Sequence, residues 1–193
     1  MRRIAMGLVA VLIVVGVAGG IASAHITPPV VLVSDREALV GLLAGAQRFF
    51  VREARLSPEQ RRAVEQRTRW RPDEDFYRFF VGRGPSGDLV VATVFLTDFT
   101  IHGPVRVAVA VGPDGAVRGA RVVEVTEETY VWIKPLIDAN FMQRLAGAPA
   151  SPGARDAAPG GDPMSEFYAG VIAGLVQRAA ALFDVAVRQA GGA

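Results

Sequence analysis

The segment that most constrains the fold is 105–111, VRVAVAV, in which Val105, Val107, Val109 and Val111 alternate with Arg106, Ala108 and Ala110. Successive side chains of a strand point to opposite faces, so this pattern predicts a strand with its valine face buried. Gly112-Pro113-Asp114-Gly115 follows. Pro113 presets φ and Gly115 tolerates a left-handed backbone, which predicts a tight turn. A second run carries Val117, Val123 and Val125 opposite Arg121 and Glu124, and the two runs read as an antiparallel hairpin.

The neighbouring segments extend this hairpin. Residues 76–82 and 88–97 are rich in β-branched and aromatic side chains and flank a Gly84-Pro85-Ser86-Gly87 turn. With the hairpin they predict an α+β fold, a four-stranded antiparallel meander whose one inner face is covered by helices. Ser34 is an N-cap with Asp35 and Glu37 in the first turn, and Leu39, Leu42, Leu43, Ala46 and Phe50 recur at helical spacing. Ser57, Pro58 and Gln60 form a capping-box signature for a second helix to about Arg69. A third helix is expected over 133–145, with Pro135 in its first turn and Ile137, Phe141 and Leu145 on one face. Residues 147–163 read as a loop, and 164–189 as a long helix with Phe167, Val171, Leu175, Leu182 and Phe183 as its core stripe.

A chain of 193 residues, 51% of them hydrophobic, suits one domain, here 34–193. It is preceded by a targeting segment. Arg2 and Arg3 stand before an uncharged apolar run, 4–21, and Ala22-Ser23-Ala24 follows, so 1–24 is either a signal peptide cleaved after Ala24 or a permanent membrane anchor. Residues 25–33 are a connector. Either outcome makes the domain extracytoplasmic, in the periplasm or tethered to the outer face of the cytoplasmic membrane.

The composition also removes whole classes of function. A net charge of +2, with Lys134 the single lysine and no basic stripe interleaved with aromatics, points away from nucleic acid. With no cysteine there is no disulfide, thiolate nucleophile, iron–sulfur cluster or c-type haem attachment, so any redox role needs a bound organic cofactor. His25 and His102 lie far apart in sequence and neither sits in a metal-ligand spacing with carboxylates, so no metal site is expected. Arg61, Arg62, Glu65, Arg67 and Arg69 crowd the second helix. That face fits an anionic partner, but a solvated face laced with ion pairs is the favoured reading.

Taken in order, several segments resemble one known family. These are the first helix with Gln47-Arg48-Phe49, the LSPEQRR start of the second, the strand pair around GPDGAVRGARVVEV, the Glu128-Thr129 pair after it, and FMQRLAG at 141–147. Their order and spacing resemble the extracytoplasmic FMN-binding domain of the Rnf complex G subunit and of the sodium-translocating NADH:quinone reductase C subunit. The resemblance covers most of the chain after the export segment. It implies membrane-associated electron transfer, with subunits of a membrane electron-transfer complex as partners and with orientation and potential, rather than side-chain catalysis, supplied by the protein. No catalytic acid, base or nucleophile is expected.

In that family a Glu-Thr loop and a later Ser/Asp-Gly-Ala-Thr-Ser/Thr motif hold the flavin, the threonine of the second forming an ester with the FMN phosphate. Here the last threonine is Thr129, and the corresponding window reads GGDPMSEFYAG, with Ser165 its only Ser or Thr hydroxyl. The resemblance therefore implies FMN held non-covalently, by His102, Gly103, Arg106, Glu128, Thr129, Tyr130, Lys134 and Ser165, with N–H groups at the start of the last helix facing the phosphate. Trp132 is a further aromatic that can stack on a flavin. The alternative is the same fold without cofactor, as a structural or assembly subunit or as a module for another ligand.

Overall fold

Six strands, β1 (Pro29–Val31), β2 (Arg48–Ala54), β3 (Tyr77–Arg83), β4 (Leu89–Thr100), β5 (Gly103–Val111) and β6 (Val117–Thr126), form one antiparallel sheet in the computed structural model, which describes residues 28–147 and 162–189. Their order across the sheet is β1-β6-β5-β4-β3-β2. The expected meander is its centre, β3 to β6, and the sheet is wider by one strand on each side. The valine alternation holds: Val105, Val107, Val109 and Val111 lie in the main core, and Ala108 and Ala110 are buried on the opposite face. Gly115 has φ 85°, the left-handed geometry that its turn requires.

Both added strands correct the reading of the sequence. The first helix, α1 (Asp35–Leu42), starts at the expected Ser34 cap, where Glu37 completes a capping box, but stops at Leu43, and Gly45 turns the chain with φ 91°. Ala46 and Phe50 are therefore not helical. Gln47-Arg48-Phe49 leads into β2 instead, where Gln47 N–H donates to the Arg83 carbonyl and Arg48 to Ala54 pair with β3. The consecutive β-formers Phe49, Phe50 and Val51 and an unfilled edge at β3 outweigh the helical spacing. On the other side, 29–31 of the connector pairs with β6, Pro29 opposite Thr126. Proline is tolerated there because the strand is an edge. Residues 1–27, including the targeting segment and His25, lie outside the described residues.

The sheet is covered on both faces, not one. Helices α2 (Pro58–Thr68), α3 (Glu127–Asp138) and α5 (Pro163–Phe183) pack over the valine face, while α1 sits on the alanine face, where Ala38 meets Ala108 and Val123. Alanine, having no side chain beyond Cβ, lets that helix approach the sheet closely. Helix α2 follows its capping box as expected, and Arg69 closes it with φ 56°. Two of its charged residues bind within the domain, Arg61 donating to the carbonyls of Pro72 (2.6 Å) and Glu74 (2.8 Å) and Arg67 pairing with Asp184, while Arg62, Glu65 and Arg69 stay exposed to solvent.

The third helix begins six residues earlier than the expected 133. Thr126 caps α3, accepting from Thr129 N–H, so Pro135 falls inside the helix rather than in its first turn. Asn140, at φ 53°, then separates α3 from the short α4 (Phe141–Arg144). Residues 148–161, most of the expected loop, lie outside the described residues. In α5, Phe167 is 49% exposed, and the buried stripe is Tyr168, Ile172, Leu175, Leu182 and Phe183. The helix ends in a π-helical turn, Asp184–Arg188, where the Asp184 carboxylate is clamped by Arg67 and Arg188. Residues 163–188 are long and apolar enough to cross a membrane. Most of that surface is buried against the sheet, and a core helix needs no lipid to account for its composition.

Candidate functional site

The turn between β4 and β5 consists of Ile101 and His102, and Gly103 follows with φ 107°. A Cβ on Gly103 would stand 2.3 Å from Thr126 Cγ2, so glycine is required both by the backbone and by the end of β6 pressed against it. Here β4, β5, β6 and the start of α3 converge. Four of the residues selected from the sequence, His102, Gly103, Glu128 and Thr129, meet at this corner.

Its hydrogen bonds close on themselves. Thr126 Oγ1 lies 2.7 Å from the His102 carbonyl and 2.8 Å from Thr129 Oγ1, which is itself 3.2 Å from that carbonyl. Thr100 Oγ1 donates to the Gly103 carbonyl (2.9 Å) and accepts from His102 N–H (3.2 Å). The Tyr168 hydroxyl of α5 reaches Thr100 Oγ1 at 3.3 Å and Thr129 Oγ1 at 3.5 Å. Thr129 and Tyr168 have no solvent exposure. Each hydroxyl thus satisfies a protein group that burial would otherwise leave unpaired.

Aromatic rings wall the corner on the α5 side. Trp132 lies 4.9 Å from the His102 ring, centroid to centroid, and stacks on Tyr168 at 5.7 Å with only 10° between planes. Phe167 meets Tyr168 edge-on at 5.1 Å. His102 Nδ1 donates to Glu128 Oε1 at 2.8 Å, since an ionised carboxylate can only accept. That bond fixes the ring beside Trp132.

Ser165 joins the same neighbourhood but is not free. It is buried, with its hydroxyl 3.0 Å from the Trp132 carbonyl and 2.7 Å from Asp162 Oδ2. Asp162 also accepts from Met164 N–H (3.2 Å) and Ser165 N–H (3.1 Å). The Ser165 hydroxyl and these N–H donors hold the Asp162 carboxyl below the ordinary aspartate range. A carboxylate thus takes the donors to which a phosphate was expected to bind at this helix start, and its charge opposes a second anion there.

The other three residues lie apart. Arg106 is on the alanine face of the sheet, where it binds Asp35 of α1 through two contacts, 2.6 and 2.8 Å, and lies over the Phe95 ring at 4.7 Å. That placement follows from strand alternation: Arg106 is one residue out of phase with Val105 and Val107. The guanidinium hydrogen bond holds Asp35 below its ordinary pKa. Lys134 is exposed on α3 and pairs with Asp138 at 2.5 Å, and Tyr130 is half-buried against the core. Neither contributes to the corner's hydrogen-bond network among the described residues.

Thr100, Thr126 and Tyr168 complete the corner and were not selected from the sequence. A signal existed for Thr126, because a threonine followed by two glutamates is an N-cap with acids in the first turn. Thr100 and Tyr168 are brought in only by packing. No group of three or more His, Asp or Glu side chains able to hold a metal ion occurs among the described residues. The arrangement positions hydroxyls, one imidazole–carboxylate pair and a row of rings. No protein-family model matches the chain, and no curated protein matches it significantly.

Proposed function

We propose that this chain is an extracytoplasmic domain, delivered and tethered by its N-terminal segment, that has the FMN-binding-domain fold and serves a membrane electron-transfer assembly through protein contacts rather than through bound flavin. The observation that carries this reading is the closed corner. Both hydroxyls that would face a cofactor, Thr129 and Ser165, are buried and committed to protein partners, and the Trp132–Tyr168 stack fills the space beside them. Opening that corner would strand buried hydroxyls, at about 1–3 kcal/mol for each group left unpaired.

A second reading, non-covalent FMN, draws on the pair of partly exposed rings, His102 and Trp132, 4.9 Å apart. The two separate on purified full-length chain by absorption and by thermal denaturation with added FMN. The proposal expects a colourless protein whose melting temperature FMN leaves unchanged. An absorption band at the flavin maximum, or a melting temperature that rises with FMN concentration as ligand linkage requires, replaces it with the second reading.

A further inference from the structure

Of the nine large apolar side chains exposed among the described residues, four lie at one end of the domain, while Phe49, Phe50 and Val51 lie along the edge strand β2. Ile101, at the tip of the β4–β5 turn, is 93% exposed, Phe99 beside it 80%, Val131 on α3 61% and Phe167 on α5 49%. Trp132 and Tyr130 are partly exposed on α3. None of these four exposures is required by the turn or the helices that carry them, where polar residues serve as well.

The chain enters the domain at this same end. Pro29 is opposite Thr126 across the β1–β6 ladder, Glu127 N–H donates to the Pro28 carbonyl at 3.1 Å, and Thr126 touches the Gly103 backbone beside Ile101 and His102. The uncharged apolar run 4–21 therefore leads, through a step of seven residues from Ile21 to Pro28, to the apolar tip. Such a step spans at most about 25 Å when fully extended. A domain tethered that closely, with its apolar residues at the tethered end, has the layout of an interfacial contact: aliphatic and aromatic side chains enter the headgroup boundary, with Trp and Tyr at its level.

We infer that this end of the domain rests on the lipid bilayer, with Ile101 and Phe99 inserted into its interface. Glu127, Glu128, Asp162 and Glu166 are exposed at the starts of the helices that carry Val131 and Phe167, so this end of the domain gains nothing from anionic lipid and suits zwitterionic headgroups. The inference rests on the tethered reading of the N-terminal segment and is independent of whether flavin binds.

Because the chain has no cysteine, a single Ile101→Cys can carry an environment-sensitive fluorophore without competing labels. Ser86→Cys, exposed in the β3–β4 turn at the opposite end of the sheet, is the reference. Full-length chain is reconstituted into phosphatidylcholine vesicles containing a lipid with a nitroxide at shallow depth. The expected result is blue-shifted emission and several-fold stronger quenching at 101 than at 86, unchanged when phosphatidylglycerol replaces part of the phosphatidylcholine. Val131→Cys should show the same contrast without altering the turn. Equal quenching at the two ends overturns the inference. A blue shift at 101 without lipid quenching, which reports a protein contact, overturns it as well, as does full-length chain recovered free of vesicles. Adding FMN to the same samples tests the proposed function separately.

Discussion

Replacing Gly103 by alanine tests how tightly the corner is closed. Two costs are separable. The backbone at φ 107° strains any residue with a Cβ, by about 1–2 kcal/mol, and the new methyl would lie 2.3 Å from Thr126 Cγ2. Relieving such an overlap in a packed site costs about 1–3 kcal/mol more, so Gly103→Ala should lose about 2–5 kcal/mol in all. The partner change Thr126→Ser keeps the hydroxyl that binds His102 and removes only the clashing methyl, at about 0.5–1.5 kcal/mol on its own. In the double variant the overlap is gone and the backbone strain remains. The two substitutions should therefore couple favourably by about 1–3 kcal/mol, measured by urea denaturation of a chain lacking 1–24 with tryptophan fluorescence as the probe. Strict additivity, with coupling below about 0.5 kcal/mol, would falsify the claim that the turn and the end of β6 are in hard contact.

Further outcomes follow from groups elsewhere. Burial pushes the Asp184 carboxyl up, but hydrogen bonds from Arg67 and Arg188 outweigh it and hold it below its ordinary value. Its folded pKa is thus depressed, so its contribution is fully present above an unfolded value of about 4 and is lost as pH falls through the folded value. Asp184→Asn should cost about 1–3 kcal/mol at neutral pH, less than a fully buried pair because both arginines are half-exposed, and the difference from wild type should shrink below pH of about 4 in acid titrations of stability. A constant difference across that range counts against the clamp. Thr93 is fully buried in β4 with no partner for its hydroxyl among the described residues, so the near-isosteric Thr93→Val should raise stability by about 1–2 kcal/mol in denaturant melts. A loss of stability there would mean that the hydroxyl has a partner. Arg106→Met should leave the sheet intact yet speed amide exchange in α1, because the Arg106–Asp35 contacts join that helix to β5. Unchanged exchange would show that apolar packing alone holds α1.

What could be seen in the sequence was what neighbouring residues encode together. Val105 to Val111 carries its two faces in its own alternation, and Ser57-Pro58-Gln60 carries its helix start in its own side chains. Thr126-Glu127-Glu128 carries a helix start too, but the apolar spacing of Ile137, Phe141 and Leu145 points to a start at 133, six residues late. Strands β1 and β2 were hidden for a different reason. Each is an edge strand whose conformation depends on a partner far along the chain, and the leucines before β2 imitate a longer helix until Gly45 stops it.

The candidate site divides along the same line. His102, Gly103, Glu128 and Thr129 were grouped from the sequence, and tertiary structure does place them at one corner. Arg106 was grouped with them although strand alternation alone puts it on the opposite face. Thr129 and Ser165 are hydroxyls able to face a ligand; only packing decides that Tyr168 engages the first and the Trp132 carbonyl the second, whereas the Asp162–Ser165 contact is a local helix cap.

The sequence by itself determined the antiparallel hairpin, the helix starts at Ser34 and Ser57, the apolar leading segment and the absence of thiol chemistry, because each is written in residues a few positions apart. Tertiary structure alone decided that the sheet has six strands, that both of its faces are covered, and that the corner at His102 is closed. Those features depend on which distant groups satisfy a buried hydroxyl, an open strand edge or an apolar face, and only the folded chain brings them within reach.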